Sequence, residues 1–351
     1  MIQSEHTSLE LGLLIFSFIT TGVLIIPFID ILYKLKLVRK KEAPKVGKIP
    51  LFDKLHDIKA GTPVGGGILI ITIVSFFFLI FFPFASHMGV FIRSSYNLRS
   101  EIFIILFTFI SFGALGLSDD LVKLFGKPRK GNLGLWVGIG RRTKFITQWV
   151  LAIIIAAMLY KLLGIRILHI PLLNQTIDMG FWYVPFSALV IVSFTNALNI
   201  TDGLDGLVGG LLVICLIAFG AIVATSLDTP LSLFISLWTG SLIAFLYFNV
   251  WPARIFLGDA GALSFGAMLS VIGLMTGSII ALIVIGGIFV IEIGSSAIQI
   301  IGWKFLGRPI LPLAPIHHSF LAGGWEEPKI VMRAWLAGLI LAIFGLWLAG
   351  I

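Results

Sequence analysis

Asn196, Asn199, Asp202 and Asp205 recur every three residues in the segment Asn196-Ala-Leu-Asn199-Ile-Thr-Asp202-Gly-Leu-Asp205-Gly. Where the chain is helical, that interval keeps neighbouring members on roughly one side. Gly203 and Gly206 instead favour a turn with exposed backbone. Such amides and carboxylates can pair with charges, hold a cation or read a polar substrate; helix capping is the plainer alternative. Asp119 and Asp120 form a second site. Being adjacent, they diverge by about 100° on a helix, so one faces a substrate or metal while the other meets a neighbouring helix or a lysine. Lys123 and Lys127 follow at helical spacing, and the bland reading is a solvated charge cluster at a helix end. Asp259, after Asn249, Arg254 and Gly258, would alone be an ordinary helix N-cap. Hard oxygen ligands without cysteine or clustered histidine suit Mg²⁺, which takes one or two carboxylates plus substrate phosphates.

His317 and His318 are adjacent, so their rings diverge and serve better as hydrogen-bond donors or phosphate contacts than as a zinc site. Glu292 and Gln299 stand seven residues apart, hence on one helical stripe beside Gly286, Gly287 and Gly294. A carboxylate at membrane depth is a functional candidate, with interhelical hydrogen bonding as the equal alternative. Lys59-Ala-Gly61-Thr62-Pro63-Val-Gly65-Gly66-Gly67 adds glycines that permit close approach by a neighbouring helix or a ligand.

The elements that must position these groups are membrane spans. Hydrophobic residues make up 58% of the chain and charged residues 12%, against roughly 25% charged in soluble domains. Apolar runs of about 20 residues place ten helices near 9–31, 64–84, 101–118, 145–163, 181–197, 206–226, 232–250, 260–276, 279–303 and 331–350. The first lacks a basic leader and a small-residue cleavage site and reads as a retained helix. Residues 33–63, 119–144, 251–259 and 304–333 together hold 21 of the 25 Lys and Arg residues. The positive-inside rule therefore makes these connections cytoplasmic and puts both termini outside. All the carboxylate loops fall on that side.

The net charge of +8 is thus a property of the cytoplasmic face. It suits anionic membrane lipids or phosphorylated substrates, with no nucleic acid expected. Cys215, the lone cysteine, lies inside a span and supports neither a disulfide nor a cysteine metal site. The expected architecture is an all-α polytopic bundle, a single integral unit over 1–351, with a small outer hairpin around Asn174 between Arg166 and Asp178. A transporter would set its polar groups near the midplane; here most carboxylates gather at one face.

Together the motifs resemble the polyprenyl-phosphate N-acetylhexosamine-1-phosphate transferase superfamily, also called glycosyltransferase family 4. Asp119-Asp120, the Asn196 to Gly206 segment and Phe256-Leu-Gly258-Asp259-Ala-Gly261 look like its aspartate motifs, in the same order. Lys59-Ala-Gly-Thr62-Pro63, Ala314-Pro-Ile-His317-His318 and Gly324-Trp-Glu-Glu-Pro-Lys329 resemble the branch acting on UDP-N-acetylmuramoyl-pentapeptide. Two departures stand out. The branch's histidine triplet is here His317-His318-Ser319, leaving a serine hydroxyl to replace one ring in part. Thr62-Pro-Val-Gly-Gly-Gly stands where the branch usually has Thr-Pro-Thr-Met-Gly-Gly.

The resemblance implies a Mg²⁺-dependent transfer of the phosphosugar-peptide to undecaprenyl phosphate, giving lipid I and UMP at the bacterial inner membrane. The alternative within the superfamily is UDP-N-acetylglucosamine as donor. Asp259 would then hold Mg²⁺. Asp119 or Asp120 would engage the lipid phosphate, by positioning, as a base or as a covalent nucleophile, and His317 joins them as catalytic. Asn199, Asp202 and Asp205 would line the uridine diphosphate site, with Asn196, Asn249, Gln299, Thr62, His318 and Ser319 also contacting substrate. Lys59, Lys123, Lys127 and Lys144 would supply positive charge. A homodimer is compatible with the resemblance.

Overall fold

The computed structural model describes residues 2–39, 59–85, 92–125, 139–226 and 228–351; Lys127 lies outside them. In lipid every backbone polar group must be satisfied within its own segment, so long apolar runs become helices. Ten helices among the described residues are long and apolar enough to cross a membrane. In chain order the helices are α1 (Ile2–Lys34), α2 (Gly66–Ala85), α3 (Leu98–Phe125), α4 (Arg141–Leu162), α5 (Tyr183–Thr201), α6 (Leu207–Ser226), α7 (Thr229–Asn249), α8 (Gly258–Met275), α9 (Ile279–Ile285), α10 (Gly287–Ile301), α11 (Ile316–Ala322) and α12 (Glu327–Ala349).

Two boundaries differ from expectation in ways that matter. α3 continues through Phe125, so Asp119, Asp120 and Lys123 project from regular helix. The expected 279–303 span is two helices, broken at Gly286, and α10 runs on into a π-helical turn, Gly302–Leu306. Isoleucine-rich sequence on both sides of Gly286 hides that break from a hydropathy reading. The outer hairpin is present as β1 (Ile167–Ile170) antiparallel to β2 (Gln175–Asp178), pairing Ile167 with Asp178 and Ile170 with Gln175. Asn174 takes the left-handed conformation at its turn, with φ of 47°, which asparagine tolerates better than most residues.

α8 is the hub. Of its span, 94% is buried, against 22% for the span beginning at Gly287, and it packs against α2, α3 and α5. Small residues make this possible. A Cβ on Gly67 would lie 2.3 Å from Cα of Gly261, and one on Gly116 would lie 2.2 Å from the Asp259 carbonyl oxygen. The glycines at the start of α2 therefore serve helix packing, one of the two readings open to them.

The segments beyond the helix ends are plaited at the same face. Arg39 N donates to the Thr62 carbonyl at 2.9 Å, Val64 N to Leu37 at 2.9 Å, Phe256 N to Pro63 at 2.8 Å and Gly65 N to Phe256 at 3.1 Å. Short backbone bonds of this kind fix where Lys59 and Asp259 emerge.

Candidate active site

Each carboxylate takes its position from a helix end, and the ends converge. Asp119, nearly fully buried, accepts the Ile139 N–H on Oδ1 at 2.8 Å. Its Oδ2 lies 2.9 Å from Nζ of both Lys123 and Lys144. The same two ammonium groups reach Asp259 Oδ2 at 2.7 and 2.5 Å. Two lysines thus bridge two carboxylates from α3 and α8. The four formal charges cancel, so an incoming anion must compete for the lysines or bring its own cation.

Asp120 faces the other way, as its spacing from Asp119 requires. Its Oδ1 accepts the Asp259 N–H and its Oδ2 the Ala260 N–H, both at 3.1 Å. It caps the amino end of α8 from a different helix, satisfying orphan donors and facing the positive end of the dipole. Gly258, with φ of 79°, makes the turn into α8; a Cβ there would lie 2.8 Å from Asp120 Oδ2.

A second cluster surrounds the 202–206 loop. Lys59 Nζ sits 2.6 Å from Asp205 Oδ1 and 2.5 Å from Glu327 Oε1, with all three side chains largely buried. Glu327 Oε1 also accepts the Asp205 N–H at 2.6 Å, and Asp205 Oδ2 accepts from Ala253 N at 2.9 Å. Asn249 takes the Gly206 N–H at 3.1 Å and donates to the Ile255 carbonyl at 2.9 Å. From α12, Trp335 Nε1 donates to the Gly206 carbonyl at 3.2 Å. The loop is held from three directions.

Asp202 connects the clusters electrostatically. Burial pushes its carboxyl up to about 7 and the charge of Asp259 adds to this, while Lys59 and Arg39 work against it. Beside the loop opens a cavity of about 360 Å³, lined in part by Lys59, Gly203, Leu204, Trp251, His318 and Trp325. Glu326 and Glu327 line it too, and Lys59 is paired with Asp205 and Glu327, so the aromatic walls and polar groups suit a flat ligand that can hydrogen-bond. Trp325 also stacks near Phe320 and carries the Arg333 guanidinium 4.4 Å from its ring centroid.

This arrangement of acidic helix ends invites comparison with known proteins. The Glycosyl transferase family 4 pattern matches residues 102–277, which contain Asp119, the 202–206 loop and Asp259. A Geobacillus sp. protein named phospho-N-acetylmuramoyl-pentapeptide-transferase is 34% identical over 95% of this chain and 96% of its own length. Proteins of the same name from Listeria innocua (36% identical, 93% of this chain and 94% of their own) and Halalkalibacterium halodurans (34% identical, 95% and 96%) agree. The chain belongs to glycosyl transferase family 4. Its full-length relatives in that family also span Lys59, His317 and Glu327, which lie outside the family-pattern match.

Not every residue singled out in this family 4 chain faces the cavity. Asn196 joins α5 to Gln148 of α4 at 2.9 Å and to the Val192 carbonyl at 2.8 Å. Asn199 is half-buried one turn further on. Thr62 belongs to the backbone plait. Gln299 accepts from Ile310 N (3.1 Å) and Leu311 N (2.9 Å) and donates to the Leu311 carbonyl (3.0 Å), bracing the loop before α11. Ser319 bonds both peptide groups of Leu313, so its hydroxyl closes its own loop. The His317 and His318 rings are tilted by 57° with centroids 4.2 Å apart. His317 is buried, and its Nδ1 lies 3.0 Å from Glu292 Oε2.

Glu327, which residue patterning does not isolate, is brought into the Lys59 and Asp205 cluster by the fold. Its signal was a carboxylate opening an apolar helix immediately before Pro328, a first-turn acid that normally only complements the helix dipole.

Proposed function

We propose that this protein transfers phospho-N-acetylmuramoyl-pentapeptide from its UDP-activated form to undecaprenyl phosphate, releasing UMP and leaving lipid I. The observation that carries this reading is the pair of lysines bridging Asp119 and Asp259 on the same face as the 202–206 loop. An oxygen of the lipid phosphate forms a bond to the phosphorus bearing the sugar, and the bond from that phosphorus to the UMP oxygen breaks. The lipid phosphate is largely dianionic at neutral pH, its second pKa being near 6, so it needs positioning more than deprotonation. Lys123 and Lys144 offset the repulsion between the two anions, and Asp119 holds both ammonium groups in place. Lys59, Asp202 and the backbone of Gly203 and Leu204 receive the uridine half in the aromatic-walled cavity. Asp120 and Asp205 position, through the α8 cap and the Lys59 pair.

Among the described residues no three His, Cys, Asp or Glu side chains form a metal cage. Mg²⁺ does not require one, since it binds through one or two carboxylates completed by substrate phosphates and water. Asp259 fits that requirement: a hard oxygen donor whose Oδ2 already attracts two cations. Held by Asp259, Mg²⁺ would neutralise the diphosphate and polarise its phosphorus–oxygen bonds. The lysine-rich face is assigned to the cytoplasm, both termini to the outside, and the ten spans to one integral unit.

The test is UMP release by purified protein given undecaprenyl phosphate and Mg²⁺, with UDP-N-acetylmuramoyl-pentapeptide and UDP-N-acetylglucosamine in parallel. Release with the first alone is expected, and chelation should abolish it reversibly. Release with the second alone would move the protein to the other branch, and none with either would overturn the reading.

A further inference from the structure

α10 buries only Phe289, Glu292 and Ser295, so its one buried carboxylate stands out. Carboxylates inside a span are retained where they have a specific partner, and here the partner is His317. Glu292 Oε2 lies 3.0 Å from its Nδ1 and 3.5 Å from its backbone N. Ser295, one turn along, accepts the Ile316 N–H at 3.0 Å and donates to the Glu292 carbonyl at 2.7 Å. The amino end of α11 is thus fixed to α10 on both sides of the imidazole.

A carboxylate only accepts, so Nδ1 carries the hydrogen. Nε2 is buried and makes no hydrogen bond among the described residues. It lies against Gly203, where a Cβ would sit 2.5 Å from it. The nitrogen is therefore addressed to the one residue of that loop whose lack of a side chain lets the ring approach, next to His318 on the cavity wall.

We infer that Glu292 is a positioning residue of this enzyme, holding His317 with Nδ1 protonated so that Nε2 is presented to the 202–206 loop as the acceptor for a hydroxyl or N–H of the nucleotide-sugar. The inference rests on the proposed transfer reaction. Glu292 touches no substrate and acts through His317 alone. Groups that work as a unit show non-additive losses when removed together.

Steady-state UMP release is measured for the wild type, Glu292→Gln, His317→Asn and the double variant, varying each substrate separately. Glu292→Gln should raise KM for the nucleotide-sugar about tenfold and leave KM for undecaprenyl phosphate within twofold. The double variant should be no worse than His317→Asn. A smaller folded fraction would lower apparent kcat and move neither KM. Long-range ¹H–¹⁵N spectra of the wild type should show the Nδ1–H form for the resonance that His317→Asn deletes. Both KM values within twofold of wild type in Glu292→Gln, losses that multiply in the double variant, or an Nε2–H tautomer would each overturn the inference. If Glu292→Gln does not fold, the wild-type spectrum decides: an Nδ1–H tautomer of His317 supports the inference and an Nε2–H tautomer overturns it. An inactive wild type would instead refute the reaction, and the tautomer would still be read.

Discussion

Replacing Asp120 with asparagine separates a cap from a catalyst. Both carboxylate oxygens accept backbone N–H groups, from Asp259 and Ala260, at 3.1 Å, and the side chain is almost entirely buried. Asparagine keeps one acceptor but turns an NH₂ toward the other N–H. A hydrogen bond to a charged group contributes roughly 1.5–3 kcal/mol, and loss of a helix cap costs about 0.5–2 kcal/mol. A loss near 2 kcal/mol is therefore expected, visible as a thermal midpoint lower by a few degrees. The orphaned N–H belongs to the first turn of α8, which carries Asp259, so the strain arrives at the proposed metal ligand. Were all of it expressed in the transition state, turnover would fall about 30-fold, at 1.36 kcal/mol per decade. The assay pairs UMP release with intrinsic-fluorescence melting in one detergent preparation. Lost turnover with an unchanged midpoint would make Asp120 a direct participant and refute the capping argument; retention of both would show that the cap is dispensable.

Asp202 predicts a pH effect. Its folded value of about 7 lies above the ordinary 3.8, so the unfolded chain ionises first as pH rises. Stability is lost between pH 3.8 and about 7 and then levels off; in Asp202→Asn melting curves that loss should be missing. Above pH 7 the ionised carboxylate should also raise KM for the nucleotide-sugar in the wild type and not in the variant. Glu327→Gln leaves Lys59 with Asp205, so the effect should stay below the roughly 3–5 kcal/mol of an orphaned buried charge. A tenfold rise in nucleotide-sugar KM is expected, and an unchanged value would remove Glu327 from the site. Ser319→Ala should lower turnover about fivefold, from a bond of about 1 kcal/mol. Ser319→His should lower it further, because a ring there displaces Leu313; higher turnover would contradict the clamp.

Most of the architecture is legible in the chain because lipid enforces it. Span positions follow from hydropathy, the common face of the carboxylate loops from lysine and arginine counts, and the divergence of Asp119 and Asp120 from helix geometry. What sequence does not reveal is which polar atoms are already engaged. Asn249, Gln299 and Ser319 have the chemistry of substrate contacts, yet each is occupied by nearby peptide groups that no spacing rule predicts. Glu292 and Gln299 share a stripe as expected, but only the fold shows that the stripe grips the segment from Ile310 to His317. The break at Gly286 escapes for the opposite reason, since uniform apolarity carries no punctuation.

The ion pair between Lys59 and Glu327 spans 268 residues. Ribosomes add roughly 5–20 residues per second, so Lys59 waits on the order of 15–50 s for its second carboxylate. During that interval a half-inserted chain has its acidic helix ends in the bilayer but no carboxylate from the last helix to hold the 202–206 loop. The contact beside the cavity is thus among the last that synthesis allows: a chain stalled before its final span lacks the Glu327 and Trp335 holds on that loop.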